Sequence, residues 1–368
     1  MKFLTNTKPF ADALALGVIN SNVSNYHKKS NIVQLTATEN SLRINVEAAQ
    51  ICSQMTLKGQ GDAGQTATIF VGSLLIKQLA STLESNTITL EFADNGLIIH
   101  SGKSKYTLPK MIDESDIELT APQIGNYNGG AISIDKSDWK FIKDRQMYAL
   151  ALSFIHPVYT KVWIGDEGDV LVGDFGKGLF THSVKSKLGS TCLLSDTIVN
   201  LFTALPDGAK ICKFDRDYII SYMSDSFEYL TQFTPLYEAD EGIGSYNSNI
   251  FLPMMVPPAD GISFNPAALN KALSQSELLS STDDKKIEFS VSDGHLRIKD
   301  NNVDCDISVT GAVTDFTLKF FTESLHKMIA NYSDETVKLS PMIQEGEAAG
   351  VIIWTNELTT ILAGAGDE

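Results

Sequence analysis

The residues of this chain best able to do chemistry are its six histidines, its four cysteines and two groups of carboxylates. Their spacing argues against each use in turn. His27, His100, His156, His182, His295 and His326 form no HxxxH or HExxH pair, the spacing that turns two imidazoles toward one metal on a helix face. Each reads as a surface or strand-edge residue. Cys52, Cys192, Cys212 and Cys305 include no CxxC and sit in strand-like or apolar stretches, so each reads as a buried free thiol. Asp113, Glu114, Asp116 and Glu118 suit a solvated linker better than paired catalytic carboxylates. Asp300, Asp304 and Asp306 lack the glycine and closing glutamate of a calcium loop. The glycine-rich stretch Gly173 to Gly178 leaves one strand and enters another, whereas a nucleotide cradle needs a helix N-terminus there. The expectation is a protein without catalytic residues, metal or cofactor.

Lysines are the remaining candidates. Lys136, Lys140 and Lys143 recur at helical spacing and share one stripe, beside a second stripe of Trp139, Ile142 and Ala149 that would face a sheet. Other helices or their ends supply Lys28, Lys29, Lys77, Lys271 and Lys327. A solvated face accounts for any one of these lysines. Gathered on corresponding helices of a chain with net charge -16, they favour contact with phosphates, which requires charge but no base-specific geometry.

The elements that must position these residues repeat three times. A small amphipathic helix opens each unit: Pro9 through Phe10, Leu14 and Val18; Asp135–Leu150; and Asn265–Pro266 through Leu269, Ala272 and Leu273. Alternating strands follow, then a second helix, then more strand. The second helices are predicted over Val71–Leu83, with Leu75, Ile76, Leu79 and Leu83 on its apolar stripe, from Ser195 to Pro206, and over Phe321–Tyr332. Ala93-Asp94-Asn95-Gly96, Gly165–Asp169 and Ser292-Asp293-Gly294 are the hairpin turns. The fold class is α+β: three tandem domains, each with two helices on antiparallel sheets, over 1–122, 123–250 and 251–368. The acidic Asp113–Pro122 stretch reads as a linker.

A chain of 368 residues with 43% hydrophobic content can bury a core in each of these units. No apolar run approaches the ~20 residues of a membrane span, and the N-terminus lacks a secretory apolar core. A cytoplasmic location is expected, with no membrane partner.

Several phrases resemble the bacterial-type DNA polymerase III beta subunit, the DNA sliding clamp. Met1-Lys2-Phe3 is similar to that family's opening, Leu35-Thr36-Ala37-Thr38-Glu39-Asn40 to its "LTATDLE" phrase, and Tyr106-Thr107-Leu108-Pro109 to the close of its first domain. Asp174-Phe175-Gly176-Lys177-Gly178-Leu179 occupies the place of "TDGHRL", and Phe264-Asn265-Pro266 resembles the third domain's helix opening. The resemblance implies a head-to-tail homodimeric ring around double-stranded DNA, with basic helices inside and sheets outside. A clamp-loader ATPase would open the ring, which would tether a DNA polymerase and catalyse nothing. It also implies a partner-peptide groove, carried here by Tyr159, Asp174, Gly176, Gly178, Leu179, Pro235, Ile361 and Leu362. The departures point to a divergent member, encoded by a bacterium or by a phage. Lys177 and Gly178 replace histidine and arginine, a strand pair is missing before Leu35, and Thr359-Thr360-Ile361-Leu362 with an Ala/Gly tail replaces "MPMRL". The alternative is a repeat-built structural or interaction protein, such as a viral assembly component, that does not encircle DNA.

Overall fold

A computed structural model of the chain describes residues 1–18, 31–48, 51–111, 119–123, 132–150, 161–174, 178–183, 187–237, 252–279, 285–330, 332, 336–356 and 358–365. The first third contains β1 (Lys2–Asn6), α1 (Thr7–Gly17), β2 (Ile32–Ala37), β3 (Ser41–Ala48), β4 (Ile51–Lys58) and β5 (Gln60–Gly61). It continues with β6 (Ala67–Gly72), α2 (Ser73–Ala80), β7 (Thr87–Ala93), β8 (Gly96–Ser101) and β9 (Ser104–Pro109). The middle third holds β10 (Ile132–Ser133), α3 (Lys136–Leu150), β11 (Val162–Ile164), β12 (Asp169–Asp174), β13 (Gly178–Ser183) and β14 (Cys192–Leu194). Then come α4 (Asp196–Ala204), β15 (Lys210–Phe214), β16 (Asp217–Met223) and β17 (Phe227–Phe233).

In the last third residues 252–254 are helical (α5). They are followed by β18 (Ile262–Phe264), α6 (Pro266–Leu278), β19 (Lys286–Ser292), β20 (His295–Lys299), β21 (Asp304–Ser308) and β22 (Thr310–Gly311). The chain closes with β23 (Phe316–Phe321), α7 (Thr322–Ile329), β24 (Val337–Gln344), β25 (Glu347–Trp354) and β26 (Thr359–Ala363).

The strands form four sheets, ordered β5-β1-β7-β8-β9, β10-β15-β16-β17-β4-β3-β2-β6, β14-β11-β12-β13-β26-β25-β24-β18-β22 and β21-β20-β19-β23. The middle third is shared out. Its β15–β17 join the first third's sheet where β17 pairs antiparallel with β4, from Phe227↔Leu57 to Phe233↔Ile51. Its β11–β13 join the last third's sheet where Leu179 pairs with Ile361. Two compact units follow, Met1–Lys140 with Leu194–Leu236, and Phe141–Leu193 with Tyr237–Glu368.

Three helices, α3, α4 and α6, are capped by side chains as their residues dictate. Asn265 accepts from the Ala267 amide at 2.8 Å and Pro266 occupies the first turn of α6, where a missing N–H loses nothing. The Ser195 hydroxyl accepts from the Ile198 amide at 3.4 Å, and the Asp135 carboxylate from the Ser137 amide at 3.0 Å. The helices bury the residues their periodicity selects: Phe10 and Leu14, Trp139 and Ile142, Leu269 and Leu273, Leu325 and Met328. Trp139 meets Phe202 edge to face at 4.4 Å between centroids, inside the first unit.

The predicted Val71–Leu83 helix is corrected. Val71 and Gly72 belong to β6, paired with β2, and the helix starts at Ser73. It buries Ser73, Ile76 and Ala80 and leaves Leu75 48% exposed, because a strand entering a helix shifts which stripe meets the core. The predicted linker is anchored at its end, with Leu119 and Pro122 buried and the Thr120 amide donating to Glu47. Cys212 and Cys305 are half-buried rather than buried. Among the described residues no helix is long and apolar enough to cross a membrane.

Asp300 ties the end of α6 to the turn before β21. Its carboxylate accepts from Lys285 Nζ and Ser276 Oγ, each at 2.5 Å, and from the Asn302 and Val303 amides at 2.6 and 2.7 Å. Burial pushes this carboxyl up, but those bonds outweigh it and hold it at about 2. Since the folded value lies below the unfolded one, the stabilisation is present above the ordinary carboxylate range and lost as pH falls from about 4 to 2. Asp300→Asn should therefore cost the second unit about 2 kcal/mol at pH 7 and remove that acid-sensitive step, as measured by urea unfolding across pH.

Candidate functional site

On α3, Lys140 and Lys143 are exposed while Trp139 and Ile142 are fully buried, so the lysine stripe points to solvent. Lys136 on the same stripe lies 3.8 Å from Asp207. On α6, Lys271 is exposed, and on α7, Lys327 pairs with Glu323 one turn before it. Lys77 differs. It is half-buried, its Nζ donates to the Val18 carbonyl at 3.1 Å, and burial lowers its amine below the usual lysine range. It serves the C-terminal end of α1 rather than a ligand. Lys28 and Lys29 lie outside the described residues.

Of the expected groove residues, Tyr159 and Gly176 lie outside the described residues. Asp174 ends β12 and pairs with Gly178 at the start of β13, and Leu179 is the cross-strand partner of Ile361. Ile361 and Leu362 are each 1% exposed. Pro235 is buried just beyond β17, in the first unit. Within the second unit an open cavity of about 450 Å³ lies over β24–β26, lined by Met254, Met342, Ile343, Gln344, Gly350 and Ile361, among others. Its lining carries no charge, and Ile343 is 57% exposed at the rim. Among the described groove residues read from sequence, only Ile361 lines it. Met254, Met342 and Ile343 were not anticipated, because apolar residues in alternation read as ordinary strand.

The tail that follows β26 runs on as main chain. The Gly364 amide donates to Ala349 at 2.8 Å and the Ala365 amide to Lys319 at 2.6 Å. Small residues allow this approach, since a Cβ on Gly350 would stand 2.5 Å from the Leu362 carbonyl oxygen.

One arrangement has the outline of a catalytic triad. His326 on α7 lies 3.0 Å from Ser274 Oγ and 2.6 Å from a Glu277 oxygen, both on α6. Sequence reading placed His326 on a surface or strand edge and saw no nucleophile–base spacing, because its partners lie about 50 positions away. Ser274 is mid-helix, with its hydroxyl donating to the Asn270 carbonyl at 2.9 Å, and the surrounding amides are spent on the helix. No oxyanion hole can form on such a helix interior. Asp304 and Asp306 are held by Arg297, with bonds of 2.7 and 2.6 Å to Asp304. Burial pushes the Cys52 thiol up to about 11, so this sulfur is inert. Among the described residues no group of histidine, cysteine and carboxylates could hold a metal.

With its sheets running across the sequence repeats, this chain has the fold of the DNA sliding clamp throughout its length. The DNA polymerase III beta subunit of Thermotoga maritima superposes with TM-score 0.79 at 12% identity, covering 100% of both chains. The DNA polymerase III beta subunit of Pseudomonas aeruginosa gives 0.75 at 15% identity and the DNA polymerase sliding clamp of Bacillus subtilis 0.73 at 14%, again over 100% of both chains. No family model and no curated protein matches the sequence.

Proposed function

We propose that the chain is a divergent sliding clamp, a homodimer that encloses duplex DNA and holds a polymerase on it without catalysing any reaction. The full-length coincidence with clamp structures at TM-scores of 0.73 to 0.79 is the observation that carries this reading. The sequence repeats 1–122, 123–250 and 251–368 would be its three domains. Exposed Lys140, Lys143 and Lys271 would meet phosphates through weak, sequence-blind contacts that let the protein slide. The uncharged cavity over β24–β26 would receive an apolar segment of a polymerase or of a clamp-loader ATPase, in the cytoplasm of a bacterial or infected cell.

Two open sheet edges support head-to-tail assembly. β9 ends one sheet and β21 another, so each presents unpaired main-chain groups among the described residues. β9 and its turn carry Lys103 and Lys105, both exposed, whereas β21 carries Asp304 and Asp306, also exposed. Tyr106 on β9 is 36% exposed, and Leu278 and Leu279, at the end of α6 tied to the β20–β21 turn, are 84% and 61% exposed. Opposite charges and apolar side chains at both edges favour β9 of one copy against β21 of the next.

Retention on DNA tests the function. Loaded on nicked circular DNA, the protein should stay bound in high salt and be lost when the circle is cut. Equal retention on circular and linear DNA, or none on either, would return the chain to the class of repeat-built structural proteins.

A further inference from the structure

The repeats carry a rule for joining sheets. Each repeat first builds a four-stranded half, β4-β3-β2-β6, β13-β12-β11-β14 or β21-β20-β19-β23, and then a second half that ends in β9, β17 or β26. The last strand of one repeat pairs with the first half of the repeat before it, β17 with β4 and β26 with β13. The same rule leaves β9 and β21 as edge strands among the described residues.

The finished seams also fix the register of the missing one. β6 runs into α2 at Ser73 and β23 into α7 at Thr322, so Phe70 and Lys319 correspond. Cross-strand partners lead from Phe70 through Gln34 and Asn45 to Gln54, and from Lys319 through Glu288 and Lys299 to Asp304. Asp304 is therefore the counterpart of Gln54, which meets Leu230 across the β17–β4 seam. On the other side, the turns between Ala93 and Gly96 and between Phe214 and Asp217 align β8 with β16. His100 then corresponds to Ser221, and their partners Lys105 and Leu230 correspond in turn. Lys105 falls opposite Asp304. Alternation sets Lys103 opposite Asp306 on the same face, and Ser104 opposite Cys305 and Tyr106 opposite Val303 on the other.

The side chains fit this register. Exposed Lys319, Glu288, Lys299 and Asp304 alternate in sign across four strands and end negative at the open edge, where Lys105 supplies the next positive charge. Asp306, beside Arg297, meets Lys103 in the same way. A slip of one residue would turn the lysines to the opposite face, and a slip of two would leave a lysine and an aspartate unmatched. On the other face of the finished seam Ser53 and Thr231 are buried and joined by a hydrogen bond. Their counterparts Val303 and Tyr106 are half-buried and 36% exposed, as two unjoined edges require.

We infer that β9 of one copy pairs antiparallel with β21 of another in this register, Lys105 against Asp304 and Lys103 against Asp306. This pairing rests on the head-to-tail reading above and adds to it the residues by which a copy recognises its partner. Where the finished seam sets Leu230 against Gln54 and Glu228 against Thr56, the seam between copies carries opposite charges.

Ser104→Cys, a change at an exposed position, tests the register with native Cys305 as its partner. A short bis-methanethiosulfonate reagent should join two chains into a covalent dimer on a denaturing gel, and adding Cys305→Ser should abolish the link. Lys105→Cys, on the opposite face, should give no link to Cys305. A dimer that fails to link, or that links equally through position 105, would overturn the register and leave the clamp reading standing. A protein that is monomeric at every concentration would overturn both. Charge exchange supplies the second measurement. Lys105→Glu should weaken association about tenfold at each seam. Asp304→Lys in the same chain should restore it and Asp306→Lys should not. Restoration by both changes, or by neither, would overturn the pairing.

Discussion

Replacing Lys103 and Lys105 with glutamate is expected to leave the chain folded but monomeric, with the 40.1 kDa mass of a single copy in sedimentation. Both side chains are exposed, so neither change disturbs a core. The cost would fall on assembly, because on the proposed pairing four carboxylates would then meet between β9 of one copy and Asp304 and Asp306 of the other. Like charges brought together at an interface cost several kcal/mol, which weakens association by at least about 100-fold. A second variant, Asp304→Lys with Asp306→Lys, should also be monomeric, since its β21 would repel the lysines of β9. It gives up the Arg297 pair, which is exposed and contributes little to stability. Mixed together, the two variants should form a dimer. One interface would join glutamates to lysines and the other would be the parental pairing, so both would be complementary. A mixture that stays monomeric, or single variants that remain dimeric, would show that the copies meet through other surfaces.

Lys140→Ala, Lys143→Ala and Lys271→Ala combined should flatten the salt dependence of binding to a short linear duplex, where topology plays no part. Each phosphate contact contributes about -0.9 to the slope of log K against log salt, so the slope should become shallower by roughly 2.7. Affinity for all sequences should fall alike. Lys77→Ala is the built-in contrast. Its amine is committed to the Val18 carbonyl, so it should leave the slope unchanged while loosening the end of α1. An unchanged slope in the triple variant would move the DNA contacts off these helices.

Much of this was legible in the chain. Asn265-Pro266, Ser195 and Asp135 announce helix starts through local chemistry that tertiary context does not override. Asp293 and Gly294, with φ of 49° and 76°, form the hairpin that their types foretell. The second helix of the first third was misplaced because Val71 and Leu75 satisfy a helical stripe and a strand equally well. Pairing of β6 with β2, a contact more than 30 positions distant, decided the matter. The site was less legible for the same reason. Alternation along β24 and β25 signals strand without saying that Met342, Ile343 and Gly350 border a cavity. Nothing near His326 in the sequence points to Glu277, and nothing near Lys77 points to Val18.

The sharing of the middle third between two sheets governs how the chain can be made and cut. β4 receives its neighbour β17 only after residue 233 has emerged, and β13 waits for β26, nearly at the end of the chain. During synthesis the first repeat must therefore persist with a seven-residue strand edge unpaired, at risk of sticking to other nascent chains. A fragment ending at 122 would carry that edge permanently and should aggregate. A fragment ending near 236 would supply the missing strands and stand the better chance of remaining soluble, although in sequence it stops inside a repeat.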